Sequence, residues 1–340
     1  MDKTYKVKKV NPETVEFEIV IPADAFTKSY NTLLAQESKK VDIKGFRKGA
    51  VPKELLEVQL KPEILEQTFE KIAPIYVAQA VSTEELNIVA APVYKDIPKL
   101  DTNKELTFKV DVTVMPEFKL GNMKKVKVEH KETKVEEKEI DAVIADLEKR
   151  DDIKAKKGTD AWAKEAGERV ALDQVKTMED FRKEIAKLLA DQKHHIVHQE
   201  MESDALNQAI KLSNITIPAR AIEYEAFERE HSFMHNLEER KVTLDDFLKA
   251  NNLTMETMKE MWKKDAKEAL EADVFLNLYA KENKIEISDE ELKEEVENIK
   301  EKNKGVEYDY DNKEWQLYIK RVMLKEKAFG DLMDKVLPKH

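Results

Sequence analysis

The chain contains no cysteine. Disulfides and thiolate metal sites are thereby excluded, which fits a reducing compartment. Glycine is scarce, with seven among 340 residues, and no G-x-x-x-x-G-K-[ST] string occurs. A phosphate-cradling loop is therefore missing, and no nucleotide cofactor is expected. No run of eighteen apolar residues is present, so no membrane span is expected. The N-terminal MDKTYKVKKV has no apolar core of a signal peptide, and the expected location is the cytoplasm. No Ser-His-Asp order or nucleophile elbow appears. Proline is scarce in only one part: eight of ten lie at or before Pro116, and between there and Pro338 only Pro218 remains. Proline is costly inside helices, so the long proline-poor part is expected to be helical.

What the chain has in abundance is charge. Charged residues make up 38% and hydrophobic residues 41%. The charge exceeds the usual quarter for a globular domain and suits long helices with solvated faces. Residues 1–115 carry 17 basic and 18 acidic residues, and residues 116–340 carry 42 and 52, for a total of −11. An acidic bulk repels nucleic acid. Any contact with an RNA-rich partner must come from a local patch in the first segment.

Within that segment, Tyr5, Val7 and the run Val15, Phe17, Ile19, Ile21 alternate with polar residues, the period of a half-buried strand. Pro22 opens a helical stretch with Phe26, Tyr30, Leu33 and Leu34 at three- and four-residue spacing. A second helical region is expected from Pro52 to about Ser82. Two strands follow, over Asn87–Tyr94 and over Leu106 to Val114. The pattern predicts one α+β domain ending near Met115.

The remainder reads as successive helices. Thr133 with Glu136, and Ser288 with Glu291, have capping-box spacing. Met258, Trp262, Ala266, Leu270, Val274 and Leu278 fall four apart, and Trp315 to Val336 carries a three-and-four pattern. Between Gly158 and Gly167 lies a short segment, after which Arg169 to Asp173 reads as a strand. Lys124–Lys138 could be a linker, but Val126 and Val128 favour an ordered strand or extended arm.

Gly45 and Gly49 flank Phe46, Arg47 and Lys48. Glycine permits a tight loop there. From Lys39 to Lys53 six basic residues face one acidic residue, Asp42. If Phe46 points outward, the cations can meet phosphate or carboxylate while the ring fills an apolar notch. If it folds back, the loop is an ordinary solvated one. Both readings stay open on loop physics alone.

The string GFRKGAVP (45–52) resembles the signature of trigger factor, the bacterial chaperone family of the ribosomal exit tunnel. The likeness extends to Leu86–Pro92 and Leu106–Pro116, to ITIPARAIEYE (215–225), and to EADVFLNLYAKENKIEISDEEL (271–292). It implies a multidomain chain, with an α+β ribosome-binding domain followed by an all-α chaperone domain with arms. It also implies that Phe46, Arg47 and Lys48, between Gly45 and Gly49, dock on ribosomal protein and RNA. The family commonly has a basic residue where Ala50 stands. Gly167 to Asp173 resembles the short strand that precedes the family's FKBP-type isomerase domain. Thr177 to Arg182 resembles the helix that follows that domain. The isomerase domain is therefore expected to be absent and the chain not to be an enzyme. The implied domains are 1–115 for ribosome binding, 116–150 as an arm of the chaperone domain, 151–175 as the remnant of the insertion point, and 176–340 as the helical chaperone domain.

The implied clients are unfolded or nascent polypeptides, with a homodimer as a further partner off the ribosome. Client binding needs exposed apolar surface that tolerates many sequences, and methionine suits it. Met255, Met258, Met261 and Trp262 form one candidate spot, and Phe233 with Met234 a second. Packed core is the alternative for each of them. His194/His198 and His231/His235 have metal-ligand spacing on a helix, but exposed helical histidines explain them, and no metal is expected. A ribosome-independent holdase or assembly scaffold of the same fold is the competing function.

Overall fold

The alternation over Val15, Phe17, Ile19 and Ile21 puts four apolar side chains on one side of a strand, and the computed structural model buries all four. The structure describes residues 4–37, 39, 53–129, 133–150, 152–172, 174–305 and 308–337. Strands β1 (Tyr5–Asn11), β2 (Thr14–Ile21), β3 (Val93–Lys95) and β4 (Leu106–Thr113) form one antiparallel sheet in the order β1-β2-β4-β3. Phe17 pairs with Val110 and Ile19 with Phe108, so the two central strands bury matching rows. The strand expected over Asn87–Tyr94 is shorter than the pattern implied. Ile88 makes a single bridge to Val114 and β3 begins only at Val93. Pro92 intervenes, and it has no N–H to give a ladder.

Helices α1 (Ala23–Glu37) and α2 (Lys53–Thr83) pack their apolar faces against this sheet. Phe69 of α2 meets Phe108 edge-on at 5.1 Å, and Tyr94 stacks on Phe108 at 5.9 Å. The helix expected from Pro52 to about Ser82 forms as α2 with two prolines, Pro62 and Pro74, inside it. Pro74 and Glu70 both lie on the helix's exposed side, where water can satisfy the Glu70 carbonyl that loses its partner. The opposite face of the sheet is charged. Lys6 pairs with Glu18 at 2.6 Å, Lys109 with Asp96 at 3.1 Å, and Lys95 with Asp111.

The chain divides into two compact units, each drawn from two stretches: residues 1–118 with 216–271, and 119–215 with 272–340. The first unit adds to the sheet the helices α6 (Ala219–Glu239) and α7 (Leu244–Asn251) and the first part of α8 (Met255–Asn283). The second unit holds α3 (Glu137–Leu147), α4 (Asp160–Arg169), α5 (Met178–Leu212), the rest of α8, α9 (Asp289–Lys302) and α10 (Lys313–Val336). An α+β first segment followed by helices is thus the architecture observed.

In the second unit, α3, α4 and α5 share a core in which Trp162 meets Phe181 edge-on at 5.7 Å. Arg182 forks to Glu137 and Asp141 at 2.5 and 2.7 Å. Residues 119–129, with one 3-10 turn at Met123–Lys125, run beside the end of α5. Gly121 N donates to Ser213 Oγ at 3.0 Å, and the Gln208 amide accepts from Lys127 N and donates to Lys127 O. The strand expected from Val126 and Val128 does not form among the described residues: Lys124 and Lys125 belong to the 3-10 turn and Glu137 and Lys138 open α3. Glycine is required at 121, because a Cβ there would lie 2.4 Å from the Leu212 carbonyl oxygen.

Two local expectations are corrected. Arg169 to Asp173 is not a strand. Gly167 and Arg169 belong to the last turns of α4, Val170 caps it, and Ala171 is left-handed at φ +60°. Leu172 N then donates to Gly167 O at 2.8 Å, the closing bond of a Schellman turn; Asp173 lies outside the described residues. The capping box expected at Thr133 and Glu136 sits one turn later, at Glu136 and Glu139. The box at Ser288 and Glu291 forms as expected. There the Lys327 ammonium at 2.6 Å and the Ser288 backbone N–H hold the Glu291 carboxyl down to about 2.

Candidate functional site

The loop carrying Gly45, Phe46, Arg47, Lys48 and Gly49 lies outside the described residues. The described chain approaches it from the end of α1 at Glu37 and leaves it at the start of α2, Lys53.

The other candidate is the helical hairpin formed by α6, α7 and the start of α8. Pro218 precedes α6, and Thr243 caps α7 by accepting from Asp246 N. Arg240, left-handed Lys241 and Val242 close α6, with Val242 N donating to Leu237 O at 3.0 Å. These stops fold the chain back, so that Phe233 meets Phe247 at 5.0 Å and Trp262 at 5.4 Å. The two spots separated in sequence, Phe233/Met234 and Met255–Trp262, are therefore joined through the Phe233–Trp262 contact. Met258 is buried at 6% exposure, so the packed alternative holds for it. Phe233, Met234, Met255 and Trp262 are half-buried. Met261 is 49% exposed.

Helix α6 carries more apolar surface than the hairpin uses. Ala226, Phe233 and Leu237 follow the face turned to the packing partners. Tyr224, Phe227, His231 and Met234 recur at three and four residues about a third of a turn away, given 3.6 residues per turn. Phe227 is 59% exposed and Tyr224 is also exposed. Sequence reading missed these two residues. The signal was present as a second stripe within 224–234, but one apolar stripe already accounted for a packed helix. Charges interleave the surface: Arg229 pairs with Glu225 at 3.1 Å and Lys259 with Glu230 at 3.4 Å.

A groove adjoins the stripe within the same unit. Ile88, Ala91 and Pro92 form one side, and Ala221, Tyr224 and Leu270 the other. Arg220 Nη2 donates to Ala91 O at 3.3 Å beside it.

Among the described residues no three His, Asp or Glu side chains gather as metal ligands. His194 and His198 lie 6.3 Å apart centre to centre, and His198 and His235 each face a glutamate one turn on. Among the same residues no helix is long and apolar enough to cross a membrane.

Comparison with known proteins agrees with this layout. Residues 3–147 match the family described as "Bacterial trigger factor protein (TF)", and residues 177–334 match "Bacterial trigger factor protein (TF) C-terminus". The stretch between the matches, 148–176, holds one helix, α4, among the described residues. The trigger factor of Carboxydothermus hydrogenoformans is 23% identical, with 86% of this chain and 90% of that protein aligned. That of Mycolicibacterium smegmatis is 27% identical over 60% of this chain and 42% of its own. A solved structure concerning promiscuous substrate recognition in the folding and assembly activities of the trigger factor chaperone shares the fold. Its TM-score is 0.54 over 97% of this chain and 99% of that one, at 17% identity. With both ends matched and the sheet-then-helices fold in place, the chain belongs to the trigger factor family of chaperones.

Proposed function

We propose that this chaperone works without ATP in the cytoplasm, docks beside the ribosomal exit tunnel through Phe46, Arg47 and Lys48, and shields apolar segments of nascent chains on its helical part. In this reading residues 1–115 bind the ribosome, 116–150 form an arm, 151–175 mark the vacated isomerase position, and 176–340 supply the client surface. The observation that carries the client half is the unused apolar stripe of α6, Tyr224 and Phe227 together, with Met261 on α8 as a further exposed apolar residue. Exposed apolar surface rimmed by charges is the general mark of a protein-interaction site. An extended apolar segment laid along it is covered reversibly, and the interleaved ion pairs keep the empty surface in solution.

The ribosome half rests on the loop's residue types and on the family. A ring beside two cations suits a surface of RNA phosphates and protein notches. No prolyl isomerase activity is expected, because residues 148–176 are far fewer than the roughly 100 residues of a typical domain.

Co-sedimentation with bacterial ribosomes tests the docking claim. Wild type should pellet, and the Phe46→Ala/Arg47→Ala/Lys48→Ala variant should stay in the supernatant. If wild type also stays behind while still suppressing aggregation of a denatured client, the protein is a ribosome-independent holdase.

A further inference from the structure

Two helices carry the same string of side chains. His194, His198 and Glu202 stand four apart on α5, and His231, His235 and Glu239 repeat the spacing on α6. Four of the chain's seven histidines fall in these two strings. In both, the second imidazole turns Nδ1 to the glutamate one turn on, at 3.3 Å for His198 and 3.5 Å for His235. A carboxylate there keeps the proton on Nδ1 and leaves the Nε2 lone pair open. The α5 copy is the better built. Glu202 is 27% exposed against 65% for Glu239, so its carboxylate is held more firmly. The His194 and His198 rings also lie nearly parallel, 6.3 Å apart with 28° between their planes. Packing does not account for the pair, because no residue from Asp191 to Glu200 is buried. The local field favours a cation: Asp191, Glu200, Glu202 and Asp204 surround the pair along the helix, and Lys193 is engaged with Glu139 at 2.6 Å.

We propose that His194 and His198 together bind a divalent transition-metal ion, zinc, nickel or copper, with water completing its shell. Imidazole nitrogen suits these ions, whereas calcium and magnesium take oxygen. An imidazole that gives one nitrogen to a neighbour keeps the other for a metal. With metal–nitrogen bonds of about 2.1 Å, the two rings close by about 1 Å on binding, and a small side-chain rotation of exposed His194 supplies that. Glu202 is a positioning residue, acting through the His198 ring. Among the described residues no third His, Asp or Glu joins the pair as a ligand, so the site is open and exchangeable rather than a closed structural one. The bound ion staples two successive turns of a stretch that has no core beneath it, and it links metal concentration to the stability of α5.

Calorimetric titration of zinc chloride into the full chain, in a non-coordinating buffer, tests the site. Wild type should take up zinc saturably, and His194→Gln/His198→Gln should lose that uptake. Glu202→Gln should bind about tenfold more weakly, and His231→Gln/His235→Gln should keep the α5 site. None of these side chains belongs to the buried core. Amide hydrogen exchange over 191–202 should slow when zinc is added to wild type and should not respond to calcium. Nitrogen NMR of the metal-free imidazoles separates positioning from a merely structural effect: His198 should carry its proton on Nδ1 in wild type and shift toward Nε2 in Glu202→Gln. Absence of saturable uptake by wild type, uptake that survives His194→Gln/His198→Gln, or uptake lost in His231→Gln/His235→Gln overturns the proposal. Unchanged affinity and tautomer in Glu202→Gln overturn the role given to Glu202.

Discussion

The sheet and the α6–α8 hairpin belong to one compact unit and handle apolar residues differently. On β2 the alternation is strict and on β4 it holds until buried Thr113 follows Val112, and Phe17, Ile19, Ile21, Phe108 and Val110 are all buried. The reverse face is given to charges, several of them paired. On α6 one apolar stripe closes the hairpin and a second is left in water. A two-period strand has only two faces, so sorting is nearly complete. A helix has a full circumference, and it can hold a packed face and a separate apolar face at once. The first arrangement yields a rigid platform and the second a usable surface.

Several substitutions would break or sharpen that contrast. Phe108→Ala should cost about 3–5 kcal/mol, because it leaves a cavity between Phe69 and Tyr94; urea unfolding followed by circular dichroism reads the loss. Gly121→Ala should cost about 1–3 kcal/mol by forcing the arm off the end of α5. A normal midpoint for that variant would mean the arm is not clamped. Lys241→Gly should raise stability by about 0.5–1 kcal/mol, since the left-handed position closing α6 then carries no side-chain strain. Phe227→Ser with Tyr224→Ser should leave stability within about 0.5 kcal/mol for each residue while weakening suppression of client aggregation. A large loss of stability instead would make the second stripe part of the core.

The smallest effect concerns acid. Glu291 titrates lower in the folded chain, at about 2, because Lys327 and the Ser288 N–H hold its charged form. Its contribution is therefore fully present above the unfolded value near 4.5 and is lost as pH falls from there through about 2. Glu291→Gln should lower Tm at pH 7, and the gap to wild type should close between pH 4.5 and 2. A gap that stays constant across this range would contradict the assignment.

The sequence made the sheet legible because period two is unambiguous over eight residues, as in Thr14–Ile21. It made Ser288–Glu291 legible because serine is a common cap. The box at Glu136 was hidden because glutamate rarely serves as the first residue of a box, and Thr133 had the better chemistry at the wrong position. Arg169 to Asp173 misled because a short Val-Ala-Leu run fits a strand and a helix end equally. Bonding from Leu172 back to Gly167 decided it. At the candidate site, the helix and its residue types were readable, but the division between packed and exposed faces was not. That division depends on where α7 and α8 return, which brings Phe247 and Trp262 onto Phe233 and leaves Phe227 outside. The family resemblance, carried by short motifs spread along the chain, was legible throughout.

The most direct test of the account is site-specific photocrosslinking to a denatured client. A photoreactive residue replaces Phe227 in one protein and Lys8, on the charged face of the sheet, in another. The account predicts an adduct from position 227 that an excess of apolar peptide abolishes, and none from position 8. Equal adducts from both, or none from 227 while the client is still kept soluble, would contradict the claim that the second stripe of α6 is the working surface.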